Sequence, residues 1–235
     1  SSFHEIMPGA DGKKNVGKVI SDNYEVVEGS WPKNKNEVVL VLDENNSLSL
    51  TTVYELGLKS ASEYHDMMNQ LNSGDDVKTD TKKIDYSDVI DRTLKLLPAC
   101  DQYVKGDNGH WTYVGDDVDQ INALIDSDKA IDLKIVGVVK PVEDADATPL
   151  SSGVGYTRAL TNELIDRAES SEIVTEQQSD KDHNVLNGMT FSPSDDATKV
   201  ADARTYVASL GVTQKANMAK SMMSAGQQSG TGSNI

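Results

Sequence analysis

Val38-Val39-Leu40-Val41-Leu42 is an unbroken apolar run, and Leu133 to Val139 (LKIVGVV) is a second run with little alternation. A strand with one wet face alternates apolar and polar residues, whereas runs like these fit strands covered on both faces. Glu37–Leu42 and Leu133–Val139 are therefore expected as central strands. Further strands are expected near 24–27, 94–97, 101–104, 111–114 and 172–175. Helical spacing appears elsewhere. Val118, Ile121, Leu124 and Ile125 recur at helix period, as do Leu160, Leu164, Ile165 and Ala168. Helices are expected near 51–57, 61–71, 86–91, 116–126, 157–169, 194–209 and 213–223.

Punctuation between these elements is specific. Gly29-Ser30-Trp31-Pro32 is turn chemistry, because Gly accepts positive φ and Pro presets φ. Ser49 or Thr51 can cap the helix that follows, and Gly57 suits its C-terminal stop. Ser194 can cap a helix that runs to Leu210 and ends at Gly211. Asn72 to Lys83 has no apolar periodicity and reads as a mobile surface loop. Residues 1–23 are polar and Gly-rich, an irregular lead-in. Residues 24–190 form the main domain, 191–224 a helical C-terminal segment whose methionines are packing material, and 225–235 a flexible tail.

The order of the segments carries a family resemblance. Tyr24-Glu25-Val26-Val27-Glu28-Gly29-Ser30-Trp31-Pro32, then Glu37 to Asp43, then Tyr54-Glu55-Leu56-Gly57-Leu58 resemble three successive motifs of one family. That family is the extracytoplasmic domains of FtsX-like and MacB-like ABC-transporter permeases of the large Gram-positive type. Its patterns read Y-D-V-L-x-G-x-x-P, E-V-V-L-V-x-D-x-x-N and L-Y-x-L-G-L. Ile84–Ile90, Leu133–Pro141, Gly153–Thr157 with Leu160-Thr161, Ser171–Gln177, Asn184–Gly188 and Phe191 continue the series. The resemblance implies an α+β fold of one or two small mixed sheets with packed helices, like the MacB periplasmic domain, in two lobes, with residues 24–190 supplying mostly the distal one. It further implies transmembrane helices and a cytoplasmic ABC ATPase as partners, and an exported substrate or external protein as the object handled. The domain would stand on the extracytoplasmic side of a cell membrane and move as a rigid body when the ATPase turns over. The family's Ile-x-Ile-Tyr-Pro strand has no counterpart here, which leaves the C-terminal edge of such a domain outside this chain.

Composition narrows the alternatives. The chain has 22 Lys plus Arg against 38 Asp plus Glu, a net charge of −16 over 235 residues. That balance repels phosphate backbones and anionic headgroups, so no nucleic acid is expected as a partner. Cys100 is the single cysteine, which excludes an intramolecular disulfide and a cysteine-based zinc site. His4, His65, His110 and His183 lack metal-ligand spacing. The Asp43-Glu44-Asn45-Asn46-Ser47 loop starts like a calcium loop, but Leu48 stands where the turn needs Gly and Tyr54 where a bidentate Glu belongs. Gly153-Val154-Gly155 lacks the third Gly of a dinucleotide fingerprint, and a tight turn capping the next helix explains both glycines. No nucleophile motif of a familiar serine hydrolase is present. No stretch approaches the roughly 18–20 apolar residues of a membrane span, and the chain opens without a leader, as an excised piece would.

No catalytic residue, cofactor or metal is expected, and the chain reads as a non-enzyme. Two further readings remain: a free-standing cell-surface adhesin or ligand-binding module, and a secreted hydrolase of unfamiliar type. A working surface belongs on loops, which strands hold in place. The candidates are the Gly29–Pro32 turn, the Lys105–His110 hairpin tip and the Asp144–Gly155 segment, with Trp31, Pro32, His110, Trp111 and Tyr156 as the residues for partner contact. Core packing is the competing role for both tryptophans.

Overall fold

The computed structural model describes residues 3–57, 66, 69–70, 72–73 and 85–229. The fold is α+β. Its strands are β1 (Phe3–Glu5), β2 (Tyr24–Gly29), β3 (Glu37–Val41), β4 (Thr93–Leu96), β5 (Tyr103–Lys105), β6 (Trp111–Tyr113), β7 (Ile131–Pro141) and β8 (Gly153–Tyr156). Its helices are α1 (Lys18–Asn23), α2 (Leu50–Glu55), α3 (Val118–Ile125), α4 (Arg158–Glu169), α5 (Glu172–Ser179), α6 (Asp196–Ser209) and α7 (Val212–Ser229). They divide into two compact units, Ser1–Pro98 with Leu124–Arg167, and Ala99–Ala123 with Ala168–Ile235.

The first unit is built on a mixed six-stranded sheet in the order β1-β8-β3-β7-β2, with β4 also paired to β7. β3 runs parallel to β7 and antiparallel to β8, so both of its edges are paired. The eleven residues of β7 carry β3 along one edge and two short strands end to end along the other: β4 on Ile131–Lys134 and β2 on Gly137–Pro141. The two apolar runs thus lie in the middle of the sheet, as their composition requires.

Alternation along β3 divides the core. Val38, Leu40 and Leu42 join Leu56, Val89, Leu133, Ile135, Val138, Val154 and Leu160 on one face, with Leu164 and Tyr156 packed against them. Val39 and Val41 point the other way, into a cluster with Ile6, Ile20, Tyr24, Val139 and Leu150, against which Trp31 packs. Each of these fully buried aliphatic side chains contributes on the order of 2 kcal/mol of burial. Cover on both faces is why Val38–Val41 of β3 and Ile135–Val139 of β7 carry no polar side chain, whereas the start of β7 alternates exposed Asp132 and Lys134 with buried Leu133 and Ile135.

Caps set the helix boundaries. Ser49 Oγ accepts from Thr52 N at 3.2 Å and starts α2. Asp195, not Ser194, caps α6, its carboxylate accepting from Thr198 N at 2.7 Å. Residues 86–91 hold a 3-10 turn at Tyr86–Asp88 in place of the expected helix. A second 3-10 turn at Ala99–Gln102 occupies the first half of the expected 101–104 strand, which begins only at Tyr103.

Four further expectations are corrected. The expected irregular lead-in 1–23 is part of the fold over its described residues 3–23: β1 adds to β8 in parallel, and Ile6 and Ile20 are fully buried. A three-residue strand has no periodicity to read, and pairing with β8 creates it. Gly153–Tyr156 is a strand, not a helix-capping turn, because β1 and β3 pair with it on either side. Glu172–Ser179 is helical, although Ile173-Val174-Thr175 favours a strand. There Ser171 Oγ accepts from Val174 N and closes the first turn. α7 continues past residue 225 to Ser229, into the stretch expected to be a flexible tail. The expected 61–71 helix and 72–83 loop fall almost wholly outside the described residues.

Candidate functional site

The second unit contains a cleft formed by the β5–β6 hairpin and α5. Cross-strand register builds its first wall. Lys105 pairs directly with Trp111, and Tyr103 with Tyr113, so all four side chains share one face of the ribbon. The tip is closed by Gly106 N donating to His110 O and Gly109 N donating to Gly106 O, both at 2.9 Å. Trp111 N donates outward to Val185 O at 3.0 Å. Gln177 fixes that contact from behind: its amide donates to Asp180 O and His183 O and accepts from Val185 N.

The second wall follows from the helical period of α5. Glu172, Thr175 and Glu176 lie at i, i+3 and i+4, which puts them on one face. Together with Ser170, Lys105 and Trp111 they line a cleft of about 470 Å³. One oxygen of Glu176 accepts from Lys105 Nζ at 2.8 Å and from Trp111 Nε1 at 2.9 Å. The Lys105 ammonium stands 5.9 Å from the centroid of the Trp111 ring. The hydrogen bond from Lys105, then that from Trp111, holds the Glu176 carboxyl below the usual carboxylate range. Glu176 is thus ionised at neutral pH and is a poor proton donor there. Glu172 forms no hydrogen bond or ion pair among the described residues.

The sequence-named residues are dispersed. Trp111 is 7% exposed, so it forms cleft wall and does not present a free face. His110 is half-buried, its ring 6.0 Å from that of Tyr206 in an edge contact. In the first unit, Trp31 packs on one face of the sheet and Tyr156 on the other, so the two do not share a surface. Pro32 is buried, and its carbonyl accepts from Asn15 Nδ2 at 3.4 Å. Lys105 lies at the edge of the candidate Lys105–His110 tip, whereas Glu172 and Glu176 were not singled out from the sequence as site residues. The signal was the 172/176 spacing, legible only once residues 172–179 are read as helix.

Asp43 accepts from Asn45 N and Ser47 N, each at 2.8 Å, and from Ser47 Oγ at 2.6 Å, so it is engaged in its own loop. Among the described residues no group of three or more His, Cys, Asp or Glu is arranged to hold a metal ion. Nor is any described helix long and apolar enough to cross a membrane. No family model, curated protein or solved structure matches the chain.

Proposed function

We propose that the chain is the extracytoplasmic part of an ABC-transporter permease resembling the FtsX and MacB types. It would couple ATP hydrolysis on the cytoplasmic side to export or to an external partner, without catalysis of its own. One observation supports this reading above the others. Four of the segments that carry the resemblance, Tyr24–Gly29, Glu37–Val41, Leu133–Pro141 and Gly153–Tyr156, are neighbours in a single sheet. Fold alone does not set the substrate, which stays outside the proposal.

The test uses the whole gene product that contains these residues. Cys100 is changed to Ser, and a single cysteine is placed at exposed Asp107 in the hairpin tip. Labelling of intact cells with a membrane-impermeant maleimide is expected to modify Asp107→Cys, and the product is expected in the membrane fraction with an ATPase subunit. Labelling only after lysis, or recovery without membrane, sinks the proposal.

A further inference from the structure

We infer that the cleft between the β5–β6 hairpin and α5 recognises a cationic peptide side chain, an arginine or lysine with an apolar neighbour. This concerns ligand chemistry and does not depend on the permease reading.

The cleft already seats one ammonium. Lys105 Nζ lies on Glu176 at 2.8 Å and 5.9 Å from the Trp111 ring centroid, a carboxylate and an aromatic converging on one cation. Lys105 is half-exposed and reaches this seat from the rim of a hairpin. It acts as an internal occupant that a stronger cation can share or displace. A planar guanidinium is the better competitor, because its five donors match a carboxylate in pairs. A second acceptor stands ready: Glu172, one helical turn from Glu176, lines the same cleft and has no partner among the described residues.

The charges select against other ligands. Lys105, Glu172 and Glu176 sum to one negative charge, within a chain of net charge −16. A phosphate or carboxylate ligand meets Glu172 and the field of the whole molecule, which attracts cations and repels anions. A wholly apolar ligand has to cover the Lys105–Glu176 pair and return no hydrogen bond to it. The cleft is open to solvent and has room for a cationic side chain and one apolar neighbour. The methylene stem of the half-exposed Lys105, with the small exposed part of the Trp111 ring beside it, is the apolar wall for that neighbour. The hydroxyls of Ser170 and Thr175 complete the polar rim.

The experiment is an NMR titration of the purified full chain with N-acetyl-leucyl-arginine amide, following the indole N–H signals. The chain has two tryptophans, and Trp31→Phe identifies the Trp111 signal. The Trp111 signal is expected to move with a dissociation constant of about 1 mM, typical of a single partly exposed cation site. The isosteric citrulline peptide is expected to leave it in place. Glu172→Gln is expected to weaken binding about threefold to fivefold, the worth of a partly exposed ion pair. Lys105→Met, which vacates the seat, is expected to strengthen it, with Glu172→Gln as the variant that leaves the hairpin contacts intact. The inference is overturned if the arginine peptide leaves the Trp111 signal unmoved, if the citrulline peptide moves it equally, or if Glu172→Gln binds as tightly as the parent.

Discussion

Two glycines face each other across the β2–β7 pair, and neither has room for a side chain. A Cβ on Gly137 would collide with the Ser30 carbonyl oxygen, and one on Gly29 with the Val136 carbonyl oxygen. Gly29 also has φ of +73°, which an L side chain adopts only under strain. The close approach lets Ser30 N donate to Val136 O at 2.9 Å just past the last paired residue. Gly137→Ala is expected to lower stability by about 1–3 kcal/mol, the usual cost of overpacking, read as a lower urea midpoint. An unchanged midpoint would mean the strands part at no cost. Tyr24 gives a second residue-level test. Its hydroxyl donates to Leu150 O and accepts from Leu150 N, both at 2.9 Å, in a buried site. Tyr24→Phe leaves both backbone groups unpaired and is expected to cost about 1–3 kcal/mol near neutral pH. Burial raises the pKa of this hydroxyl, outweighing the lowering effect of its Leu150 bond. Its contribution is therefore complete below the unfolded value of about 10 and is lost as pH rises through the higher folded value. Melting curves of the two proteins should converge above that pH. A gap that stays constant refutes the assignment.

β3 and β7 were legible because β-branched and Leu residues dominate their runs, and the two exceptions in the β7 run do not interrupt it: Lys134 reaches solvent and Gly137 sits at the close approach to Ser30. The same rule makes a strong prediction. Val39 and Ile135 are fully buried on opposite faces of the sheet. Val39→Asp or Ile135→Asp places an unpaired charge there, at a cost of about 3 kcal/mol or more, against a total stability of about 5–15 kcal/mol. Either variant should lack a cooperative melt, and a variant that melts like the parent would displace these strands from the core. α5 was not legible for the converse reason. Its β-branched residues argue locally for a strand, while Ser171 as cap and packing of the half-buried Ile173 and Val174 decide for the helix. β1 and β8 were missed because Phe3-His4-Glu5 and Gly153-Val154-Gly155-Tyr156 hold too few β-formers to read as strands, and their pairing with each other and with β3 creates them. α6 carries the matching test of local chemistry. The Thr198 N–H bonded to Asp195 holds that carboxyl below its ordinary range. Its contribution is thus present above the unfolded value and lost as pH falls through the folded one. Asp195→Ala should lower the melting temperature modestly at pH 7 and not at pH 2, followed by circular dichroism.

Charge was fully legible from composition, but what it does depends on where the charges lie. The cleft shows the limit of a one-dimensional reading. Trp111 could be named from the sequence, whereas Lys105, Glu172 and Glu176 become a group only through hairpin register and helix period together. For the molecule as a whole, two electrostatic effects oppose each other. The ion pairs are close, such as Lys35–Glu163 at 2.7 Å and Lys134–Asp91 at 2.8 Å, but their side chains are exposed. Each contributes about 0–1 kcal/mol. The excess of 16 negative charges repels itself over longer distances. Salt separates the two by range. The screening length falls from about 30 Å at 0.01 M to about 8 Å at 0.15 M, which removes repulsion across the molecule and leaves contacts under 3 Å mostly intact. Stability is therefore expected to rise over that interval, by a few degrees in the melting temperature at pH 7. The gain should shrink near the sequence pI of about 4.5, where the net charge vanishes. A melting temperature that falls with salt at pH 7 would show that attraction between neighbouring charges, and not net repulsion, governs the folded state. In that case the cleft's preference for cations would have to come from Glu172 and Glu176 alone, without help from the field of the whole chain.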